Sequence, residues 1–261
     1  MPTLDARRAD WEAEYRFRRA PNPAARYRFD ASDLAKPDVL EHVLRTLDGK
    51  WRSASPAAVG SLFVKAYARI LVAALDAMSR DGVGVHASAG ACTLELDDQL
   101  QPSIVWNGDD ADIVPCPADE RVEWRNRIGK SLFGDHLEPL FRAVSAHAHV
   151  SMCTLWENAL VYIHHFYNAW SDGETDESKK AVLQDDYAFV TKYAGCDLFG
   201  ACLDNPLRIE GSCVSHPLKP GETIRVRKTC CLRYFLKDGR NCTVCPRLTE
   251  EERLAAFANK K

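Results

Sequence analysis

Four of the ten cysteines in this chain lie close together near its C-terminal end. Cys230 and Cys231 are adjacent, and Cys242 and Cys245 form a C-x-x-C pair ten residues further on. A C-x-x-C turn lets two thiolates converge on one metal ion, whereas successive side chains of an extended segment point to opposite faces. Adjacent cysteines therefore chelate a single tetrahedral ion poorly, because a structural zinc site more naturally has a C-x2-4-C pair at each end. A centre with two metal atoms relaxes that demand.

A [2Fe–2S] cluster fits both the number of thiols and the charge around them. Such a cluster takes four cysteine thiolates and gains negative charge on reduction. From Lys219 to Arg247, eight basic residues oppose two acidic ones, so this segment carries +6 and the rest of the chain −9, against a net charge of −3. A basic shell would stabilise an anionic cluster and raise its potential. Its members near the cysteines are Arg225, Arg227, Lys228, Arg233, Arg240 and Arg247.

Zinc and a dithiol redox pair are the alternatives for these thiols. A thioredoxin-like pair should lie in a βαβ pattern, which the sequence lacks. Zinc stays open on spacing alone. The remaining cysteines have no ligand spacing and are predicted to be ordinary thiols; they are Cys92, Cys116, Cys153, Cys196, Cys202 and Cys213.

The elements that must position the cysteines divide the chain into two units. Residues 1–205 are predicted to form a helix-rich body, and residues 206–261 a C-terminal lobe that binds the cluster. Within the body, Ser55 as N-cap, Pro56 and Gly82 delimit a central apolar helix. Three short alternating stretches, "VGVHAS", "CTLELDD" and "SIVWN", predict a small antiparallel meander after it. The expected class is α+β, predominantly helical with a small antiparallel sheet.

Further helices and a C-terminal strand are also predicted. The helices cover about residues 4–17, 39–47, 155–170 and 176–195. "TIRVRK" predicts a strand before the cysteines, and Thr249 with Glu252 forms a capping box before a short final helix.

The composition is that of an ordinary globular protein, with 46% hydrophobic and 27% charged residues among 261. The first residues have no apolar segment typical of a signal peptide, and Lys65, Arg69 and Asp76 interrupt the longest apolar run. We therefore expect a cytoplasmic protein with no transmembrane segment, whose thiols stay reduced. "GVGVHASAG" lacks the third glycine of a dinucleotide fingerprint. No helix-turn-helix signal adjoins the basic tail, so no nucleic-acid partner is predicted.

The tail resembles that of the FhuF-type ferric-siderophore reductases. "NPL", a basic strand, "RKTCCLRY", and "CTVCP" after ten residues are similar to the C-terminal signature of that family, and "LWENALVYI" resembles its Trp-x-Asn helix. The resemblance implies a [2Fe–2S] protein with Cys230, Cys231, Cys242 and Cys245 as ligands. It implies a cytosolic oxidoreductase that reduces iron in imported ferric siderophores, often hydroxamates, and kinship with the C-terminal region of aerobactin-type siderophore synthetases.

The resemblance also directs the choice of substrate residues and partners. Trp156 and Asn158 on the Trp-x-Asn helix, and Arg233 and Tyr234 in the signature, are the predicted substrate contacts. Because no flavin or nicotinamide fingerprint is present, a separate electron donor such as a ferredoxin or flavodoxin is expected. Peripheral association with the membrane surface is compatible with this reading. Two alternatives remain: a zinc-stabilised, non-catalytic siderophore-binding protein and an iron–sulfur redox sensor.

Overall fold

The computed structural model describes residues 4–117 and 119–259. Helical residues make up 57% of the protein, and the sheets are small. The predicted α+β class, with a predominantly helical body, is therefore confirmed. The α-helices are, in chain order, α1 (Leu4–Tyr15), α2 (Pro37–Trp51), α3 (Pro56–Asp76), α4 (Arg121–Leu132), α5 (Glu138–Ala148), α6 (Met152–Gly173), α7 (Glu177–Ala188) and α8 (Glu250–Ala258).

The apolar helix α3 lies at the centre of the body. It begins at Pro56, continues through a wider turn at Ala77–Asp81, and ends at Gly82, whose φ of 65° is the left-handed conformation that glycine tolerates. These are the predicted boundaries. The helix Pro56–Asp81 is long and apolar enough to cross a membrane, but 83% of its apolar window is buried inside the fold. Here it serves as the core helix, against which α5 and α6 pack.

The main sheet differs from the predicted meander. The strands are, in chain order, β1 (Phe17–Arg18), β2 (Ala25–Asp30), β3 (Val83–Val85), β4 (Cys92–Asp97), β5 (Pro102–Trp106), β6 (Ile113–Pro115), β7 (Ser212–Ser215) and β8 (Thr223–Val226). One sheet has the order β1-β5-β4-β2, in which β1 runs parallel to β5 and the other pairs are antiparallel.

The strand β3 does not join that sheet, so the three predicted stretches do not form one meander. It pairs with β6 instead, in a separate two-stranded sheet. Its position against α4 explains this, because a Cβ at Gly84 would lie 2.6 Å from Cδ1 of Ile128. The missing side chain lets the strand lie directly on the helix, away from β4.

The tail after residue 205 is mostly irregular. The hairpin β7–β8 precedes the first cysteine pair, and the predicted capping box between Thr249 and Glu252 opens α8. The loops between β8 and α8 contact the body through α3 and α6, as described below. The division of the chain at residue 205 stays a prediction.

Candidate metal centre

The structure brings the four predicted cysteines together in two pairs. Sγ of Cys230 lies 3.6 Å from Sγ of Cys245, and the thiols of Cys231 and Cys242 lie close enough for each to shift the pKa of the other. Each pair thus joins the adjacent cysteines to the C-x-x-C turn, and neither pair forms within one motif. Cys231 and Cys245 are buried, whereas Cys230 and Cys242 are partly exposed.

This arrangement fits a centre with two metal atoms better than a single ion. Two thiolates on one tetrahedral metal, with metal–sulfur bonds of about 2.3 Å, lie roughly 3.8 Å apart. The Cys230–Cys245 separation is close to that value. In the described part of the chain, no three His, Cys, Asp or Glu side chains form a group that could hold one ion. The thiols are therefore gathered as two pairs rather than as one closed tetrahedral set.

A buried carboxylate fixes the backbone that leads into the first pair. Glu157 on α6 is fully buried, and its oxygens accept hydrogen bonds from the backbone N–H of Lys228 at 2.7 Å and of Thr229 at 2.6 Å. The hydroxyl of Thr229 donates a third bond at 2.5 Å. Arg225 and Arg227 lie 3.5 Å and 3.8 Å from the same carboxylate. A buried charge with this many donors is stabilised where an isolated one would not be.

The neighbouring Asn158 connects the tail to α3. Its amide nitrogen donates to the carbonyl and hydroxyl oxygens of Ser61 at 2.8 and 2.9 Å. The hydroxyl of Ser61 in turn donates to the carbonyl oxygen of Cys231 at 3.0 Å. The amide oxygen of Asn158 accepts from Nη2 of Arg227 at 2.7 Å. Two helices of the body therefore position the first cysteine pair through named side chains.

The guanidinium of Arg227 is buried but incompletely bonded. The residue is 2% exposed, and its Nε and Nη1 have no hydrogen-bond partner among the residues that the structure describes. Its charge acts on both Cys231 and Cys242. Buried donors without acceptors are costly, and an anionic group held between the thiols is the kind of acceptor that would use them. The residues present therefore fit a sulfide-containing anionic cluster.

Other donors also face the sulfurs. Nζ of Lys65 on α3 lies 3.8 Å from Sγ of Cys231, and the backbone N–H of Leu232 donates to Sγ of Cys230 at 3.4 Å. The pKa of the Cys231 thiol is lowered, first because the Cys242 thiol donates to it and then because Lys65 and Arg227 are positive. The pKa of Cys242 is raised, because it is the donor in that pair. The local field thus favours negative charge on the sulfur of Cys231.

The predicted substrate residues separate into buried and surface positions. Trp156 is 1% exposed and packs among Phe133, Phe141 and Phe199, and Asn158 is fully buried in the contacts given above. Trp156 thus belongs to the aromatic core, whereas Asn158 belongs to the contacts between α6, α3 and the tail. The substrate role of these two residues stays a prediction.

Arg233 and Tyr234 lie on the outer part of the cysteine loop. Arg233 is exposed and lines a cavity of about 760 Å³ that also borders Cys242. The guanidinium of Arg247 lies 4.4 Å from the ring centroid of Tyr234 and donates to its hydroxyl. Of the four predicted substrate residues, these two are therefore the ones near the surface by the thiols, and their substrate role also stays a prediction.

Three residues at the site were not predicted. Glu157, Ser61 and Lys65 stand on long helices, where a charged or small polar residue usually marks solvent or helix packing. Glu157 had one usable signal, since it lies between Trp156 and Asn158 on the apolar helix α6, where an unpaired carboxylate would be expensive. Ser61 and Lys65 are one helical turn apart on α3, and only the contact with the tail reveals their role.

The helical body carries the family relationship. Residues 61–199 match the family model for ferric iron reductase FhuF-like transporters. Because the match covers just over half of the chain, the protein belongs to this family, and the resemblance seen in the tail is confirmed at the level of the family. The matched segment contains Ser61, Lys65, Glu157 and Asn158 but ends before the cysteines. No curated protein matches the sequence.

Proposed function

We propose that the protein is a cytoplasmic ferric-siderophore reductase. It reduces Fe(III) in an imported ferric siderophore, of the hydroxamate type, to Fe(II) by transferring one electron from a [2Fe–2S] cluster. Cys230, Cys231, Cys242 and Cys245 would hold this cluster. One observation carries the proposal: in a member of a ferric iron reductase family, these thiols lie together beside two positive side chains, Lys65 and Arg227. Within the described residues, two N–H donors of Arg227 are unused.

One electron is sufficient for this reaction. Siderophore oxygens are hard ligands that hold ferric iron tightly, and ferrous iron binds such ligands far more weakly. One electron enters from an external donor and leaves to the ferric substrate, so no proton transfer is obligatory. The residues of the chain would hold the cluster, supply positive charge and N–H donors to its sulfurs, and leave one side of it accessible.

The accessible side is the one at Cys242. Cys242 is partly exposed and borders the cavity of about 760 Å³, whose lining also includes Arg233, Arg240, Asn241 and Thr243. A cavity of this size falls in the range of small-molecule sites. We place the ferric siderophore there, with Arg233 at its edge and Tyr234 beside it. Electron transfer over the short distance from Cys242 would then need no movement of the body.

A separate one-electron carrier, such as a ferredoxin or flavodoxin, would supply the electron. Arg233, Lys237 and Arg240 are exposed around the cysteine loop, and none of them takes part in an ion pair within the described ranges. Unpaired surface charge of one sign steers an oppositely charged partner and speeds its association. An acidic carrier is therefore the partner that this surface favours.

The test is a visible absorption spectrum of the anaerobically purified protein, with iron, sulfide and zinc determined on the same sample. We expect a red-brown protein that bleaches with dithionite and regains its colour when a ferric hydroxamate is added, with Fe(II) captured by a ferrous chelator. Cys242→Ala, which removes the ligand atom, should abolish the colour, whereas Cys153→Ala, at an exposed position of α6, should not.

Two results would contradict the proposal in different ways. A colourless protein with stoichiometric zinc would remove the cluster and leave a zinc-stabilised binding protein. A coloured protein whose reduced form is not reoxidised by ferric siderophores would keep the cluster and remove the substrate, leaving a redox sensor as the better reading.

A further inference from the structure

We infer that the two irons of the proposed cluster are held by cysteine pairs that cross between the two motifs: Cys230 with Cys245 on one iron, and Cys231 with Cys242 on the other. The inference rests on the proposed function, because it needs a two-metal centre. The alternative is that each motif holds its own iron, the adjacent cysteines one and the C-x-x-C turn the other.

The sulfur positions favour the crossed arrangement. Sγ of Cys230 and Sγ of Cys245 are 3.6 Å apart, close to the roughly 3.8 Å expected for two thiolates on one tetrahedral metal. A [2Fe–2S] cluster takes four cysteine thiolates, two on each iron, so this contact leaves Cys231 and Cys242 for the other iron.

Backbone contacts fix this register without any metal. The N–H of Arg227 donates to the carbonyl oxygen of Val244 at 3.0 Å, which ties the segment before the first pair to the C-x-x-C turn. The N–H of Cys245 donates to the carbonyl oxygen of Cys242 at 2.9 Å, which closes that turn. Arg253 on α8 then donates to the carbonyl oxygens of Thr243 and Cys245, at 2.6 and 3.1 Å.

The opposite side of the first pair is equally constrained. Ser61 holds the carbonyl oxygen of Cys231, and Leu232 takes the left-handed conformation, with a φ of 62°, that lets its N–H reach Sγ of Cys230. A leucine in this conformation is strained relative to glycine. The turn after the adjacent cysteines is therefore specified by its contacts, and it directs the two thiols to different partners.

The crossed pairs make the two irons unequal. Nζ of Lys65 lies 3.8 Å from Sγ of Cys231, so its positive charge favours the Cys231–Cys242 pair. In the one-electron-reduced protein, Cys231 and Cys242 would therefore hold the iron that is ferrous, with the electron supplied by the external carrier, and Cys230 and Cys245 would hold the iron that stays ferric. Cys242, in the first of these pairs, borders the cavity assigned to the substrate.

The experiment is Mössbauer spectroscopy of the ⁵⁷Fe-labelled, dithionite-reduced protein and its four single Cys→Ser variants. A serine oxygen changes the spectrum of the iron it binds. We expect Cys231→Ser and Cys242→Ser to alter the ferrous component, and Cys230→Ser and Cys245→Ser the ferric one. If Cys230→Ser and Cys231→Ser altered the same component, the crossed pairing would be wrong. A wild-type protein without ⁵⁷Fe signal would instead overturn the proposed function.

A second measurement decides the case in which a serine variant loses its iron. The full-length variant, shown to be folded by circular dichroism, is oxidised mildly, and the thiols that stay free are alkylated and located by mass spectrometry. In Cys230→Ser, Cys231 should join Cys242 and leave Cys245 free. In Cys242→Ser, Cys230 should join Cys245 and leave Cys231 free. A Cys242–Cys245 disulfide in the first variant would overturn the pairing.

Discussion

Replacing Lys65 by methionine should lower the reduction potential of the proposed cluster. Lys65 is on α3, and its ammonium lies 3.8 Å from Sγ of Cys231 and 6.0 Å from the ring centroid of Tyr162. Methionine keeps the length and much of the packing of the side chain but removes the charge. Because the positive charge favours the reduced form, its loss makes reduction harder.

The size of the effect follows from the distance. Two unit charges at 3.8 Å interact by roughly 4 kcal/mol at an effective dielectric constant of about 20. The added electron is shared by two irons and their sulfur ligands, so about a quarter of its charge acts at this range, which leaves about 1 kcal/mol. Since about 1.4 kcal/mol corresponds to about 59 mV for a one-electron couple, the expected shift is about −40 mV.

The assay is a redox titration that follows the bleaching of the visible absorption at constant pH and ionic strength. Lys65→Arg keeps the charge and should keep the potential close to that of the wild type. Lys237→Met removes an exposed charge of the cysteine loop and should change the potential much less, because solvent and salt screen that charge. If Lys65→Met left the potential unchanged while its spectrum stayed that of the wild type, the ammonium would not act on the cluster and the assignment of Lys65 would be refuted.

Three further perturbations test the carboxylate that holds the tail, the proposed cluster ligands and a buried histidine of the core. Glu157→Gln should lower the free energy of unfolding by about 3 kcal/mol, and the Tm by roughly 6–12 °C, because one amide cannot accept the three hydrogen bonds from Lys228 and Thr229. Glu210→Gln, at an exposed position, is the control. An unchanged Tm of Glu157→Gln would show that the carboxylate is dispensable. Cys242→Ala should remove iron and sulfide while Cys153→Ala retains them, and full iron content in the former would exclude Cys242 as a ligand. Burial lowers the pKa of His136 to about 4, so below its unfolded pKa of about 6.5 only the unfolded chain binds the extra proton. Stability should therefore be complete above that value and fall by about 3 kcal/mol by pH 4; urea unfolding across this range would show no such loss if His136 were protonated in the fold.

Signals that act over a few residues were sufficient to predict the helical body. Pro56 and Gly82 delimit α3 because each acts through its own backbone, the first by its fixed φ and the second by its left-handed conformation. The capping box of Thr249 and Glu252 predicted α8 in the same way. Such signals do not depend on where the rest of the chain lies, so they survive the formation of tertiary structure.

The strands depended on partners that the sequence does not specify. Ala25–Asp30 has alternating burial, but its outward positions are charged and its partner β4 lies far along the chain. Val83–Val85 has the pattern of a strand, yet its contact with α4, which only a residue without a side chain at Gly84 permits, directs it to β6. Pairing is decided by what else packs on each strand, and a local pattern does not contain that information.

At the site, the types and spacing of the cysteines predicted which thiols come together but not what holds them. Glu157 and Asn158 lie next to Trp156 on one helix, and the prediction selected Trp156 and Asn158 for contact with a substrate. In the structure Glu157 binds the backbone of the tail, and Asn158 connects Ser61 to Arg227 through hydrogen bonds. A polar residue on an apolar helix indicates that a partner exists, but whether this is a substrate or another segment of the chain depends on the tertiary fold.

The placement of these residues makes the body and the tail dependent on each other at this site. Glu157 belongs to the segment that matches the family, and its hydrogen-bond donors, at Lys228 and Thr229, lie beyond it. Without the tail, the carboxylate would keep its position on α6 but lose every donor that stabilises it; without the body, Arg227 would lose Glu157 and Asn158 together. Each part alone would then contain a charged side chain without the oppositely charged partner that the other part supplies. The tail is therefore positioned by its contacts with the helices, and these contacts contribute to the geometry of the site at which the proposed cluster would bind.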